Sequence, residues 1–247
     1  MINKKIEEKK YRNLIGINQQ QYYISDVKEV WDYSNVFYGR ETPMGIVYGK
    51  ITYTNRFTKQ AVQGEIEAYP RLSKNVYLDL DIAYANKPEL FPSQVYGAEA
   101  YITIDGAFDF SLGGKYNFVD NRHNFTFYTG SISKGINSNV LTFRPYYFVP
   151  GVGENSTLYT LNFRHIIRDP YYSVGCIFGL GTSPDLADLQ NINFIVVRNK
   201  IINPYINFPL FKERLLVNLN AMYQNQIFPL KRVRNWSGGT VGLTWRF

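Results

Sequence analysis

From residue 12 onward, apolar and polar side chains alternate in runs of about ten to thirteen residues, each closed by a cluster of turn formers. NVYLDLDIAYA (75–85) is the clearest run. Val76, Leu78, Leu80, Ile82 and Tyr84 share one face, and Tyr77, Asp79, Asp81 and Ala83 the other. FDFSLGGKYNF (108–118), TLYTLNFRH (157–165) and RLLVNLNAMYQNQIF (214–228) repeat the period of two, which belongs to a β-strand with one greasy and one polar side. The pattern predicts about fourteen strands, near 12–24, 28–39, 44–55, 60–70, 75–86, 93–104, 107–118, 124–134, 138–149, 156–167, 171–182, 191–208, 213–228 and 235–247. The RNK tripeptide (198–200) breaks the alternation of the twelfth and is read as a bulge or a split, so twelve or sixteen strands also fit.

The runs are too long for a soluble β-sandwich, whose strands average about five or six residues. They match the ~9–11 that a tilted strand needs to cross a bilayer. The expected fold is therefore all-β: a single antiparallel transmembrane β-barrel over 12–247, preceded by a charged segment, 1–11. The connections agree. ANKPELFPS, FVDNRHN, FVPGVGENS, GTSPDLADLQN and IFPLKRVRNWS fall at one end and are long. YPRLSKN, TIDGA and LFKER fall at the other and are mostly tighter. Short turns mark the periplasmic side of outer-membrane barrels, so both termini are expected there. The last strand, TVGLTWRF, sets Val241, Leu243, Trp245 and Phe247 toward lipid, and a barrel without a free edge must pair it with the first.

Composition sharpens this picture. Tyr 21, Phe 17 and Trp 3 make 17% of the chain aromatic, as interfacial girdles require, while mean hydropathy is only −0.26. Runs such as INFIVV (192–197) fall far short of the ~18 apolar residues of a spanning helix. Net charge is +7, but the bases are scattered apart from KRVR (231–234), and no recognition motif accompanies them, which argues against nucleic acid. The lone Cys176 excludes an intramolecular disulfide. The first twelve residues lack the apolar core of a secretory signal, so an exported form is expected to have lost its leader.

Several stretches, in order, carry a family likeness: TNRF (54–57), EAYPRL (67–72), FP (91–92), YGAEAY (96–101), FSLGGKY (110–116), YTGSISKG (128–135), FRPYYFVP (143–150) and GLGTSPDL (179–186). Together they resemble the YaiO-type outer-membrane β-barrel family, from about residue 28 to the C-terminus. The resemblance implies a Gram-negative outer membrane and a setting near surface polysaccharide, with no catalytic residues to carry over. The terminal Phe247 behind Val241, Leu243 and Trp245 likewise resembles the C-terminal signal read by the barrel assembly machinery.

With the apolar face outward, Glu65, Glu67, Asp79, Asp81, Glu99 and Asp109 line the lumen on strands four to seven. Lys50, Arg56, Arg144, Arg164 and Arg246 line it elsewhere. At ~4.8 Å between strands and ~40° of tilt the cylinder is roughly 28 Å across. An acidic wall facing a basic one would orient polar solute. The plainer alternative is that these charges pair and fill the lumen. Inward Tyr69, Tyr77, Tyr101 and Tyr146 add stacking surface.

The two histidines make poor catalysts: His123 sits in a loop and His165 points outward near a strand end, neither with a nucleophile in local spacing. The i, i+2 pairs Glu65/Glu67 and Asp79/Asp81 are what one strand face produces, and are no glycosidase dyad. No enzyme, metal or cofactor is expected. Leu90, Phe91 and Trp236, beside KRVR, read as loop residues of a contact surface. The expectation is a narrow polar conduit or accessory of surface glycan, porin-like; the alternative is a scaffold in an envelope complex, with a lipid-modifying barrel enzyme as a lesser third reading. Its partners would be membrane lipid, lipopolysaccharide, the assembly machinery, and a glycan or envelope protein.

Overall fold

The structure is a computed structural model that describes residues 11–104, 108–120, 124–186, 189 and 195–247. Most of the charged segment 1–11 and His123 lie outside the described residues. The strands are β1 (Asn13–Ile24), β2 (Glu29–Thr42), β3 (Gly45–Arg56), β4 (Lys59–Pro70), β5 (Val76–Ala85), β6 (Gln94–Thr103), β7 (Asp109–Phe118), β8 (Asn124–Ile136), β9 (Asn139–Pro150), β10 (Ser156–Ile166), β11 (Ser173–Pro184), β12 (Val196–Leu210), β13 (Leu215–Ile227) and β14 (Val233–Arg246). Each pairs antiparallel with its sequence neighbours, and β1 with β14, in one closed barrel. Closure is complete at the seam: β1 and β14 pair from Leu14↔Arg246 to Ile24↔Trp236. Beyond that ladder, Asn13 and Phe247 exchange two backbone hydrogen bonds of 2.9 Å, which carry the pairing one residue past Arg246.

The register fixes the shape. Followed once round the barrel, it returns to β1 about fourteen residues higher, a shear that tilts the strands by about 35° and gives a cylinder about 26 Å across. Two corrections to the sequence reading emerge. Strand β12 is continuous through Arg198–Lys200, neither bulged nor split. The β3–β4 connection, read as residues 56–59, is the tighter pair Phe57–Thr58, both with positive φ (53° and 58°).

An even strand count puts both termini at one end, here called the terminal end; the other is the distal end. Terminal-end connections include the two-residue turns 43–44 and 137–138, while the distal end carries 86–93 and 185–195. Gly45 illustrates a local demand: its φ is +140°, and a Cβ there would run into the Tyr69 carbonyl.

Outward positions are apolar through the middle of the wall, as with Ile51, Ile66, Leu112 and Val241. Toward the distal end a row of outward tyrosines follows the tilt: Tyr84, Tyr96, Tyr116, Tyr128, Tyr147, Tyr159 and Tyr223. Tyr96 stands opposite Tyr116, and Tyr128 opposite Tyr147. This is the interfacial girdle anticipated from composition.

Candidate functional site

Side chains that bond across non-adjacent strands can meet only inside a closed barrel, so they identify the lumen face. Arg144 on β9 reaches Glu99 on β6 (2.8 and 3.0 Å), and Tyr205 on β12 reaches Asn162 on β10 (3.0 Å). The second contact passes over Gly175, where a Cβ would collide with the Tyr205 ring.

The acidic residues of β4–β6 are mostly paired. Lys50 Nζ lies 2.8 Å from Glu65 and 2.7 Å from Glu67. Lys115 Nζ lies 2.8 Å from Asp81 Oδ2, without the alignment of a hydrogen bond. Arg144 binds Glu99 and also contacts Thr129 and Tyr101, both at 3.3 Å, with Ser111 and Ser131 at 3.5 Å. Four of the six acidic side chains drawn from the sequence are thus in ion pairs, but only three cations serve them, since Glu65 and Glu67 share Lys50, so the β4–β7 wall keeps an acidic excess. Asp79 and Asp109 have no ion pair among the described residues, and neither does Arg164. Arg246 lies at the terminal mouth, stacked over Tyr171 (4.7 Å) and Tyr11 (5.4 Å). Tyr77 and Tyr101 stack face to face at 4.6 Å, and Tyr69 donates to Glu67 at 3.3 Å.

The two ends of the lumen differ. At the terminal end a vestibule of about 440 Å³ opens between Arg12, Phe37, Tyr48, Lys50, Glu67 and Arg246. At the distal end loop and strand side chains pack together inside the mouth. Among the described residues, every buried apolar side chain except Val217 sits in that half, from Ile24 and Trp31 to Leu90, Leu189, Val197 and Phe228. Trp31 packs against Phe57 (4.5 Å) and Trp236 (5.0 Å). Its indole nitrogen donates to Glu29 Oε2 at 3.1 Å.

Arg56 is buried in this plug rather than lining open lumen. It donates to the Tyr33 hydroxyl (2.9 Å) and to the Leu90 carbonyl, and so ties loop 86–93 across the mouth. Arg234 clamps the other side, binding Asp26 (2.9 Å) and Asp185 (2.9 Å) from the inner face of β14. Arg232 joins Asp26 at 2.7 Å.

Leu90 and Trp236, expected as exposed loop contacts, therefore belong to the plug; Leu90 is 2% exposed and Trp236 lies within β14. Arg234, Asp26 and Asp185 were not singled out from the sequence. The parity of β14 could have found Arg234, which shares a face with Thr240 and Arg246. Nothing local marks its acidic partners, which lie 208 and 49 residues away. Outward His165 meets Asn139 Oδ1 at 2.9 Å, and no metal-holding group of His, Cys, Asp and Glu occurs among the described residues.

Residues 12–186 match the YaiO membrane β-barrel domain. The chain belongs to the YaiO family. The match takes in β1, which the motif-based likeness had left out, and it stops at residue 186 rather than at the C-terminus. No curated protein matches the chain in sequence. Solved structures similar to this YaiO barrel include a bacterial polysaccharide outer membrane secretin (TM-score 0.60, 9% identity, 97% of this chain and 100% of that one). Others are the COG4313 outer membrane channel of Pseudomonas putida F1 (0.56, 9%, 98% and 100%) and Omp33 of Acinetobacter baumannii (0.54, 11%, 96% and 98%). At these identities the likeness is one of fold, and the fold is that of an outer-membrane β-barrel.

Proposed function

We propose that the protein is a non-catalytic outer-membrane barrel whose lumen is a narrow, gated conduit for polar, glycan-type solute, with its termini in the periplasm. The observation that carries this reading is the asymmetry of the lumen. A charged and aromatic vestibule opens at one end, and the other end is closed by loops tied down through side chains, which can be released without unzipping a strand. Arginine, carboxylate and tyrosine faces such as Tyr77 and Tyr101 suit a hydroxylated ring better than an apolar solute. The secretin among the similar folds is in keeping with a polysaccharide setting. The short turns at the terminal end favour the periplasmic orientation. Assembly into the membrane then draws on the machinery that reads Val241, Leu243, Trp245 and Phe247.

The test is single-channel conductance in planar bilayers. The native barrel is expected to be nearly silent, and a variant lacking residues 88–91, the loop tip held by Arg56, to conduct steadily. Adding Arg144→Ala and Arg164→Ala to the opened barrel should shift its ion selectivity toward cations, because two lumen cations are gone. A folded, loop-deleted barrel that stays silent would sink the conduit and leave a scaffold role.

A further inference from the structure

Strand β12 departs from the pattern of its neighbours in one respect. Below the tyrosine row its outward side is apolar, with Ile202 facing Tyr223 across the ladder. Beyond that row the next two outward positions are Lys200 and Arg198, about 5 and 11 Å farther toward the distal end. The register puts Leu180 and Asn225 beside Lys200, and Thr182 and Ile227 beside Arg198; none is an acid. Neither cation has a hydrogen bond or ion pair among the described residues, in contrast to Arg232 and Arg234 close by. They are also not needed to pair charge inside, since Asn199 between them supplies the inward contact, donating to Ser183 (2.9 Å) and accepting from Gln224 (2.7 Å).

A third cation without a partner among the described residues comes from a separate element. The turn Pro229–Lys231 projects beyond β13, with Leu230 and Lys231 both at φ 63° and Leu230 fully exposed at 101%. Between this turn and the ends of β12 and β13 runs a groove of about 630 Å³, floored by Ile195, Val196, Ile227 and Phe228 and edged by Arg198 and Lys231. A strained backbone that holds a leucine out into solvent is unexpected unless the leucine meets something apolar. Glu154 also lines the groove, so an anion is confined to its β12 side.

We infer that this shoulder is a binding site for the phosphorylated headgroup of an outer-leaflet lipid, its phosphates on Arg198, Lys200 and Lys231 and an acyl chain against Leu230 and Ile227. Three features select that occupant. The cations begin one outward step beyond the aromatic girdle, at the depth of lipid phosphates. Arg198 and Lys200 have no acid among their β11 and β13 neighbours and the groove holds two cations to the one Glu154, a positive excess that fits a multiply charged anion better than a zwitterionic headgroup. The groove beside them is apolar, which fits a lipid and not a free anion. A guanidinium with two ammonium groups can engage a phosphate through several charge-assisted hydrogen bonds. The site rests on the orientation proposed above, with the distal end facing out.

The test uses the folded, detergent-solubilised barrel and measures binding of diphosphoryl lipid A, the same lipid with its phosphates removed, and inorganic phosphate as competitor. The native protein should prefer the phosphorylated lipid. The combined variant R198Q/K200Q/K231Q should bind it at least tenfold more weakly and lose the preference. R40Q/K212Q, which removes two exposed cations at the other end, should stay within twofold of native. Equal binding by the triple variant, or equal loss in the control, would overturn the site. Displacement of lipid by millimolar inorganic phosphate would reduce it to an anion site and overturn the lipid assignment. Orientation is read separately: in a Cys176→Ala background, Lys231→Cys should react with an impermeant thiol reagent on intact cells. Reaction only after lysis would refute the orientation whatever the lipid measurements gave.

Discussion

Asp26 holds two arginines of the distal plug and lies outside the strands. Burial pushes its carboxyl upward, while Arg234 and Arg232 pull it down by more, so it sits below its ordinary value of 3.8. A carboxylate depressed by folding contributes stability that is fully present above the unfolded-state pKa and is lost as pH falls through the folded one. The plug is therefore firm at neutral pH and loosens below about pH 4. Amide protection over residues 24–32 and 228–236 should fall in that window, and Asp26→Asn should lower it already at pH 7 and abolish the acid step. Arg144 offers a second residue-scale test. Arg144→Met strands Glu99 in the wall and should cost about 1–3 kcal/mol in urea unfolding, less than for a dry interior because the lumen is wet. Adding Glu99→Leu should recover most of that loss; a pair that merely touched would give additive losses. The inward charges were legible from parity alone, because a period of two assigns each side chain to a face. Their partners were not. Lys50 with Glu65 and Glu67 sits on neighbouring strands, but Arg144 with Glu99 spans three, a relation fixed by barrel curvature and side-chain length rather than by local sequence.

At the scale of the element, strand positions followed the alternation closely, since each strand faces lipid on one side and a polar interior on the other. The reading faltered where that rule stops. RNK in β12 looked like a break because, beyond the girdle, outward positions meet headgroups and polarity inverts without any change in backbone. In the same way KRVRNW was read as a loop because Arg234 and Trp236 share an inward face with residues of both kinds. The Phe57–Thr58 turn is tighter than the connection read at 56–59, for a different reason. A two-residue turn with positive φ at both positions normally carries Asn and Gly, and here the fold accepts that strain to seat Phe57 on Trp31. Thr58 is exposed and makes no such contact, so Thr58→Gly should raise stability by about 1 kcal/mol, read from the urea midpoint. Phe57→Gly, which also loses the ring contact, should not.

Across the whole molecule, closure depends on β14 finding β1, and the residues that face lipid there also end the chain. Trp245→Ala with Phe247→Ala should lower the amount of folded barrel recovered from cells several-fold, yet leave barrel refolded in detergent nearly as stable as native, because the backbone exchange between Asn13 and Phe247 survives both changes. Equal losses in both settings would assign the two aromatics to wall packing instead of recognition during assembly. The sequence could show that a barrel forms and roughly how wide it is. The plug escaped it, because the plug is assembled from β1, β2, β3, β12, β14 and loops that no local pattern joins.

A cylinder closed at one rim by the proposed plug and hollow at the other would be a cup, and a cup makes no hole in the wall that holds it. A cell could carry many copies of this protein without surrendering its permeability barrier, which a general porin of similar width would breach. Overproducing the native chain should leave susceptibility to large hydrophilic antibiotics unchanged. The same amount of the variant lacking residues 88–91 should raise it, as growth inhibition assays would show.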